Sequence, residues 1–460
     1  MKVTTSKEIQ FKMLKLSRSI FKTNKNVIIY KRSLSGTINN NTKPWNNTMP
    51  DEQFKFMRDV LDAPSPVGFE SAMTEGVLLP ELQPYIEKNK WKVERFKGNA
   101  GVLIDTHPGR DDLQTIMLIG HADKIRMQVR HISKDGKVWI DSDSFLPGTL
   151  LGNEVKIYSR DFEENPSRNS KDGSTSNSID SFEMDNKYKC ISNGTVEAHG
   201  AIHFADANKR TNKDQLYVEF GLHGENRKKQ IEKLGIRPGD PVLMDRPIKR
   251  TSVGNDTFTG AYLDNGLGCF VVAECAKLLS DDLEILDLNN VRCLFAFASH
   301  EEIGRFGSRV MAGEFKPDVL IGVDVNHDYD AAPGVSDKRF PEIEMGKGFT
   351  ISTGSITAPG LNNMLEDLAC HLNIPVQLDV RGRDTGTDAM AGVLASIDCA
   401  ATSIGFPIRN MHTVSECGHT GDVLCSIHAL HALVKYLNTN NTGEGTSKGN
   451  WETLHPRLDL

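Results

Sequence analysis

The most constraining feature of this chain is a set of acidic and histidine side chains that follow apolar, strand-like runs far apart in the sequence. TIMLIG precedes His121, RCLFAFASH precedes Glu301 and Glu302, and DVLIGV precedes Asp324. In an open α/β sheet the C-terminal ends of the strands lie along one edge, where ligands bind. Side chains separated by 412 − 121 = 291 positions can therefore meet in one crevice. The complete set is His121, Asp264 (after TGAYL), Glu301, Glu302, Asp324 and His412 (after IGFPIRNM).

The residue types in this set indicate metal chemistry. Two imidazoles with several carboxylates and no thiolate suit a pair of hydrolytic divalent metals, so the hypothesis is a two-metal hydrolase. Two cations about 3.5–4 Å apart need a bridging anion, and Asp264 in AYLDNGLG is the best candidate. The alternative for Asp264 is an N-cap aspartate that accepts from free helix amides.

Other members of the set can also be interpreted without a metal. His121 in GHADK could be a metal ligand oriented by Asp123, or a buried histidine of the core. At the end of a strand, the neighbours Glu301 and Glu302 can reach different parts of one pocket. One could bind metal while the other takes a proton from a water molecule, although they could also be a solvated pair.

Composition narrows the class of protein. The 460 residues exceed one typical domain, so two domains with tails are expected. A formal charge of −7 and the lack of a basic stripe give no reason for a nucleic-acid partner. No stretch approaches 18 consecutive apolar residues, so no membrane span is expected. The eight cysteines are scattered without CxxC spacing, which favours reduced thiols inside a cell.

Composition and hydrophobic pattern divide the chain into five segments. Residues 1–50 are basic, hydroxyl-rich and acid-poor, as in an organellar transit peptide or a disordered tail. We therefore expect a cytoplasmic protein, or a mitochondrial or plastid one if this leader is a targeting sequence. Residues 51–124 and 251–438 have the helix and strand patterns of an α/β fold and are the expected halves of a catalytic domain. Residues 125–250 have the short, glycine-punctuated strands of an inserted β domain, with a polar, flexible insertion over 161–195, and 439–460 are a C-terminal tail.

The end of the second half predicts a long amphipathic helix. Apolar residues recur at helical spacing from about Asp422 to Leu437, and Thr420 or Asp422 is a possible cap. The residues predicted to share one face are Val423, Ile427, Leu430, Val434 and Leu437.

Five motifs in order resemble the tetrahedral aminopeptidases, the glutamyl and deblocking aminopeptidases among the co-catalytic zinc metallopeptidases. The resemblance runs from about Asp51 to Leu437. The motifs are GHADKI, YLDNGLG, SHEEIGRFGS, IGVDVNHD and GTDAMAG…IGFPIRNMHTVSE. It implies a three-layer α/β/α sandwich with an inserted β-barrel-like domain, and subunits that assemble into dimers or dodecamers.

The resemblance also implies a role for each residue of the set. Asp264 would bridge two metals, with His121 and Asp324 completing the first site and Glu302 and His412 the second. Glu301 would be the general base, and Asp123 would support His121. The motif around His121 departs from the family at Lys124 and Arg126, where an acid and a glycine are usual.

The expected function is a two-metal aminopeptidase that removes N-terminal residues from peptides through a metal-activated water and a glutamate base. Zinc is the first choice for the two divalent ions, with cobalt and manganese as alternatives. A rival is a metal-dependent carboxypeptidase or deacylase of similar fold, in which Arg383 or Arg409 would bind the substrate carboxylate. The other rival is a non-catalytic scaffold that retains the fold.

Overall fold

A computed structural model of the chain describes residues 43–46, 48–142, 144–160, 187–200, 210–254, 256–282, 290–335 and 340–440. The chain has two compact units, Met1–Asn47 and Thr48–Leu460. In the first, a 3-10 turn at Pro44–Asn46 is the described element. All further structure concerns the second unit.

The second unit is built on an eight-stranded mixed sheet in the order β1-β2-β12-β3-β13-β16-β14-β15. The strands β12, β3, β13 and β16 run parallel at its centre. Three of these strands are buried along their whole length, as expected for parallel strands covered on both faces. The bounds are β1 Lys92–Arg95, β2 Gly101–Asp105, β3 Gln114–His121, β12 Val291–Ala298, β13 Val319–His327, β14 Phe349–Gly354, β15 Val376–Arg381 and β16 Ala400–Ile408.

Helices cover both faces of this sheet. Met311 and Ala391 from two helices pack with Met117 and Ile119 of β3 on one face. Gly120 points to the opposite face, because neighbouring strand residues alternate between faces. On that face the long helix Leu263–Asp281 contacts β3 and β13. The bounds are α1 Asp51–Asp62, α2 Ser71–Met73 continued by a π turn at Thr74–Leu78, α3 Leu79–Asn89, α4 Pro147–Leu150, α5 Arg227–Lys233, α6 Leu263–Asp281, α7 Phe306–Phe315, α8 Pro359–Leu372, α9 Ala391–Leu394 and α10 Thr420–Asn440, with 3-10 turns at Lys213–Gln215 and Asp388–Met390.

A closed barrel in the order β4-β5-β8-β7-β6-β9 interrupts the sandwich between β3 and α6. The strands β5 and β6 alternate buried and more exposed residues, so that Val155 and Ile157 of β6 point inward. A three-stranded sheet, β10-β11-β17, lies beyond it in the chain. The bounds are β4 Met127–Ile132, β5 Val138–Asp141, β6 Glu154–Arg160, β7 Tyr188–Glu197, β8 Tyr217–Glu219, β9 Pro241–Met244, β10 Lys249–Arg250, β11 Thr257–Gly260 and β17 Glu416–His419.

The predicted fold class, a three-layer sandwich with an inserted barrel, is confirmed. One boundary needs correction. The polar insertion predicted over 161–195 cannot extend so far, because Tyr188–Glu197 is a barrel strand paired with β6 and β8. Residues 161–186 of that insertion lie outside the described residues, as do 1–42 of the leader and 441–460 of the tail. Among the described residues, no helix has the length and apolar character to cross a bilayer.

Lys124 joins the end of β3 to the end of α1. Its ammonium group is buried and donates to the carbonyl oxygens of Leu61, at 2.6 Å, and of Ala63. Burial lowers the pKa of Lys124 to about 7. Because both acceptors end α1, the side chain satisfies carbonyls that an α-helix leaves without a partner. The lysine that departs from the family motif is therefore a structural anchor in this protein.

The first turn of α6 approaches β3 and β13 so closely that only glycine fits. A Cβ on Gly268 would lie 2.2 Å from the carbonyl oxygen of Val323. A Cβ on Gly120 would lie 2.8 Å from the backbone nitrogen of Cys269. Asn265 completes the contact by donating to the Val323 carbonyl at 2.8 Å. This close packing fixes where Asp264, at the start of α6, stands relative to the strand ends.

Gly268→Ala is expected to lower the free energy of unfolding by about 2 kcal/mol or more, because its methyl group overlaps backbone atoms that cannot easily move. Gly313→Ala is the matched control, since it lies within α7 and its Cβ would meet nothing within 4 Å. That control should be neutral or stabilising by up to about 1 kcal/mol. Thermal and urea unfolding measure both variants, and equal effects would contradict the close approach described for α6.

Candidate metal centre

Four strands of the central sheet bring most of the predicted residues to one edge. His121 ends β3 and pairs with Ala298 at the end of β12, three residues before Glu301. Asp324 lies in β13, beside β3, and pairs with Gly405 of β16. His412 follows β16 by four residues. The structure therefore brings these side chains, which are far apart in sequence, to the same edge of the sheet.

Asp264 reaches the crevice by a different route from the one predicted. The run TGAYL does not end a strand of the main sheet, because β11 belongs to the three-stranded sheet and Asp264 lies in the first turn of α6. Its backbone is not helical there, and the Asp264–Asn265 peptide bond is cis. Among the described residues its carboxylate accepts no helix amide, and Oδ1 of Asn265 accepts the N–H of Gly268 at 2.9 Å instead, so the structure gives the N-cap alternative no support.

The carboxylate of Asp264 lies between the two histidines. Its Oδ1 is 3.2 Å from Nε2 of His121, and its Oδ2 is 3.1 Å from Nε2 of His412. Burial opposes ionisation, but the hydrogen bonds from both imidazoles hold the pKa of Asp264 well below its usual range. Each oxygen of one buried carboxylate thus faces a separate imidazole, which is the arrangement that a bridging ligand requires.

Each histidine has a carboxylate as a second neighbour. Nε2 of His121 is 3.8 Å from Oδ2 of Asp324, and Nε2 of His412 is 3.8 Å from Oε2 of Glu302. The donor atoms of His121, Asp264 and Glu302 lie within 4.8 Å of one another. The other oxygen of Glu302, Oε1, is buried and has no hydrogen-bond partner among the described residues. These oxygen and nitrogen donors, one of them without a partner, fit a divalent cation.

The charge balance of the crevice also fits a cation. Burial, followed by the negative charge of Asp264, raises the pKa of both Glu302 and Asp324 well above the usual range. For His121, burial is outweighed by hydrogen bonds to Asp123 and Asp264, so its pKa is raised well above normal. Glu302, Asp324 and His121 therefore hold their protons more strongly than in water, because an ionised carboxylate buried in this crevice needs a positive charge beside it.

Asp123 links His121 to the two glutamates by hydrogen bonds. Its carbonyl oxygen is 3.1 Å from Nδ1 of His121, which places the proton on Nδ1 and leaves Nε2 to face the crevice. Its carboxylate accepts the backbone N–H of Glu301 at 3.0 Å and that of Glu302 at 3.1 Å, one on each oxygen. The backbone segment that carries both glutamates is thereby tied to the histidine.

Glu301 lies beside this cluster rather than in it. Its Oε2 is 3.8 Å from Nε2 of His121, and its Oε1 accepts from Nε of Arg305 at 3.2 Å. Arg305 is also held by Asp384, through two contacts of 2.9 and 3.0 Å. Burial, moderated by the charge of His121, raises the pKa of Glu301 to about 7. A carboxylate with this pKa can both accept and release a proton near neutrality.

The sequence analysis missed two buried acids that shape the site. Glu416 accepts from the backbone N–H of Leu263 at 2.6 Å and from that of His412 at 2.8 Å, so it links the start of α6 to the loop of the second histidine. Asp388 accepts from the hydroxyl of Ser308 at 2.5 Å, and its Oδ2 is buried with no partner among the described residues. The signal for both was an acid inside an otherwise apolar or small-residue motif.

Arg409, a candidate for binding a substrate carboxylate, is engaged elsewhere. Its Nε donates to Asp328 at 2.7 Å. Arg383, the other candidate, is exposed. The described contacts of these two arginines therefore give the carboxypeptidase alternative no support.

Known structures share this fold. A TET aminopeptidase from the marine sediment archaeon Thaumarchaeota archaeon superposes with a TM-score of 0.69 at 21% identity, over 84% of this chain and 98% of that one. The TET1 peptidase of Pyrococcus horikoshii, described as assembling into a tetrahedron or a large octahedral shell, gives 0.62 at 17% identity, over 83% and 99%. At these identities the likeness establishes the sandwich and its inserted barrel.

The sequence places the chain in a family of peptidases. The family model for M42 glutamyl aminopeptidase matches residues 178–428, which is more than half of the chain. The lysyl aminopeptidase of Pyrococcus furiosus is 24% identical over 391 residues, covering 84% of this chain and 97% of that protein. The chain belongs to the M42 glutamyl aminopeptidase family, as its motifs indicated.

Asp123→Asn is expected to weaken the site without unfolding the protein. Only one amide oxygen remains to accept the two N–H groups of Glu301 and Glu302, and a lost charge-assisted hydrogen bond costs about 1.5–3 kcal/mol. A group that orients a metal ligand typically changes affinity or activity about 10- to 100-fold. Zinc titration by calorimetry and peptidase assays measure the effect.

Asp112→Asn is the matched control for this change, because among the described residues its exposed carboxylate pairs with Arg110 at the surface. It should leave zinc affinity and activity as in the parent protein. If Asp123→Asn behaves like Asp112→Asn, the carboxylate of Asp123 does not organise the site.

Proposed function

We propose that this protein is a two-metal aminopeptidase that hydrolyses the first peptide bond of peptides with a free N-terminus. The observation that carries the proposal is the position of Asp264 between two imidazoles, each with its own carboxylate neighbour. Membership of a peptidase family supports the reaction class.

Five residues would hold the two ions. His121 and Asp324 would form the first site, Glu302 and His412 the second, and Asp264 would contribute one oxygen to each. Zinc is the preferred ion because two imidazoles with carboxylates suit it, and cobalt or manganese could replace it in so oxygen-rich a site. When bound, two such ions polarise a carbonyl oxygen and make a nearby water molecule more acidic.

Glu301 would act as the general base. It is close to the cluster but makes no contact with Asp264 among the described residues, and its pKa of about 7 suits proton transfer in both directions. It would accept a proton from the attacking water and deliver it to the amine that leaves. Arg305 would hold the carboxylate in place through Oε1 and leave Oε2 directed to the crevice.

Asp123 would be a positioning residue in this reaction. It fixes the tautomer of His121 and the backbone of the two glutamates, so that the base and the ligands keep their relative positions. Glu416 would serve the second histidine and α6 in the same way.

Self-association is part of the proposal. The Pyrococcus horikoshii TET1 peptidase of the same fold is described as forming large closed shells. We infer a homo-oligomer for this chain as well, either a dimer or a dodecamer. The metal centre described above is built from one chain.

Metal removal tests the two-ion requirement. Prolonged dialysis against a chelator is expected to abolish cleavage of aminoacyl anilides and to leave the sheet and barrel folded by circular dichroism. Zinc, cobalt or manganese should restore activity, and elemental analysis of the restored protein should give two ions per chain. Full activity in a protein verified to be free of metal would end the proposal.

Glu301→Gln separates the base from the ligands. The amide keeps the size of the side chain but cannot accept a proton, so kcat is expected to fall by at least about 100-fold, while two ions remain bound. Glu302→Gln is the matched comparison, since it changes a proposed ligand and should lower metal content instead. A Glu301→Gln protein with undiminished turnover would refute the role of Glu301.

A further inference from the structure

A cavity of about 220 Å³ adjoins the metal centre on the side of the inserted barrel. Glu302 and Ile303 form its wall on the catalytic side, and Arg126, Gln128 and Asp141 form its wall on the barrel side. It is smaller than the pockets of about 300–1,000 Å³ that hold drug-sized ligands, so it suits a single side chain or chain end. Val67, Ile125 and Ser144 complete the lining.

Arg126 is the cation of this cavity. Its guanidinium donates to the carbonyl oxygen of Val67 at 3.3 Å and to Oε1 of Gln128 at 3.1 Å, and both partners line the same cavity. These two contacts hold the group at the wall. Both acceptors are neutral, so the positive charge is left uncompensated by them.

In the part of the chain that the structure describes, no carboxylate lies within 4.0 Å of the Arg126 guanidinium, although Arg130, in the strand that follows Arg126, pairs with Asp214 at 3.1 Å. Glu70, the acid whose charge acts most on Arg126, is already bonded through its two oxygens to Gly68 and Asn99. A half-buried guanidinium with no carboxylate in direct contact attracts one from a ligand, because its planar donors fit a carboxylate in two-point contact.

We propose that Arg126 determines specificity by binding a carboxylate of the peptide substrate, foremost an acidic side chain near the N-terminus. The inference rests on the proposed function, since Glu302 places this cavity next to the reacting bond. The carboxylate has three possible sources: the first side chain, the second side chain, or the C-terminus of a very short peptide. Asp141, on the same wall, opposes the binding by charge and limits its strength.

The test compares kcat/KM for matched substrates. The pairs are glutamyl and glutaminyl anilide, Ala-Glu-Ala-amide and Ala-Gln-Ala-amide, and Ala-Ala and Ala-Ala-amide. The parent protein should prefer the acidic member of at least one pair by about 10- to 100-fold, the range of a charge-assisted hydrogen bond. The pair that shows the preference identifies the source of the carboxylate.

Variants then assign the preference to Arg126. Arg126→Met should abolish the ratio, and Arg126→Lys should retain part of it, because a point charge remains without the planar fork. Asp141→Asn should increase the ratio, and it leaves Arg126 intact if Arg126→Met fails to fold. Arg130→Met, a control four residues further along the chain, should leave the ratio unchanged.

Two failures are distinguishable. If the parent protein cleaves neutral substrates but shows no acidic preference in any pair, or if the preference survives in Arg126→Met, the inference about Arg126 is wrong and the aminopeptidase proposal stands. If the metal-loaded parent protein cleaves no free-amine peptide of the panel, both are wrong.

Discussion

The contact on which the site depends is the carboxylate of Asp264 held between the imidazoles of His121 and His412. These groups come from the two halves of the sandwich, on either side of the barrel in sequence. Buried charges of one sign are tolerated only when others compensate them, so the positions of Asp324 and Glu302 make sense only around this centre. The packing of Gly268 against β13 and the bonds of Glu416 serve to keep Asp264 there.

Much of the architecture was predictable because burial leaves a clear pattern in sequence. The all-apolar runs of β3 and β12 and the alternating runs of the barrel gave the sandwich and its insertion. The last helix was also predicted, and Val423, Ile427, Leu430, Val434 and Leu437 are all buried. The predicted end of the polar insertion was wrong, because the first six residues of β7 are exposed or half-buried and pair through the backbone, and backbone pairing leaves no clear pattern in sequence.

The site was predictable as a set of residues but not as a geometry. Apolar runs point to strand ends, so His121, Glu301 and Asp324 could be placed together from sequence. Asp264 could not, because its position comes from a break in the first turn of α6 and from a glycine contact between distant elements. Asp123 was expected to contact His121. Its hydrogen bonds to the backbone of Glu301 and Glu302 could not be predicted, because they depend on a turn that has no characteristic residue in the sequence. The family resemblance suggested a role for each residue of the site. The distances between their side chains are the evidence from this chain that bears on those roles.

The order of the donors along the chain has a consequence for biosynthesis. His121 leaves the ribosome 291 residues before His412, and the whole barrel is made between them. Until His412 and Glu416 emerge, the start of α6 lacks the carboxylate that binds Leu263, and Asp264 lacks one of its two imidazoles. A ribosome-bound chain is therefore without a finished centre for nearly all of its synthesis. A chain that still lacks His412 and Glu416 would have no complete centre with which to hydrolyse the nascent peptides around it.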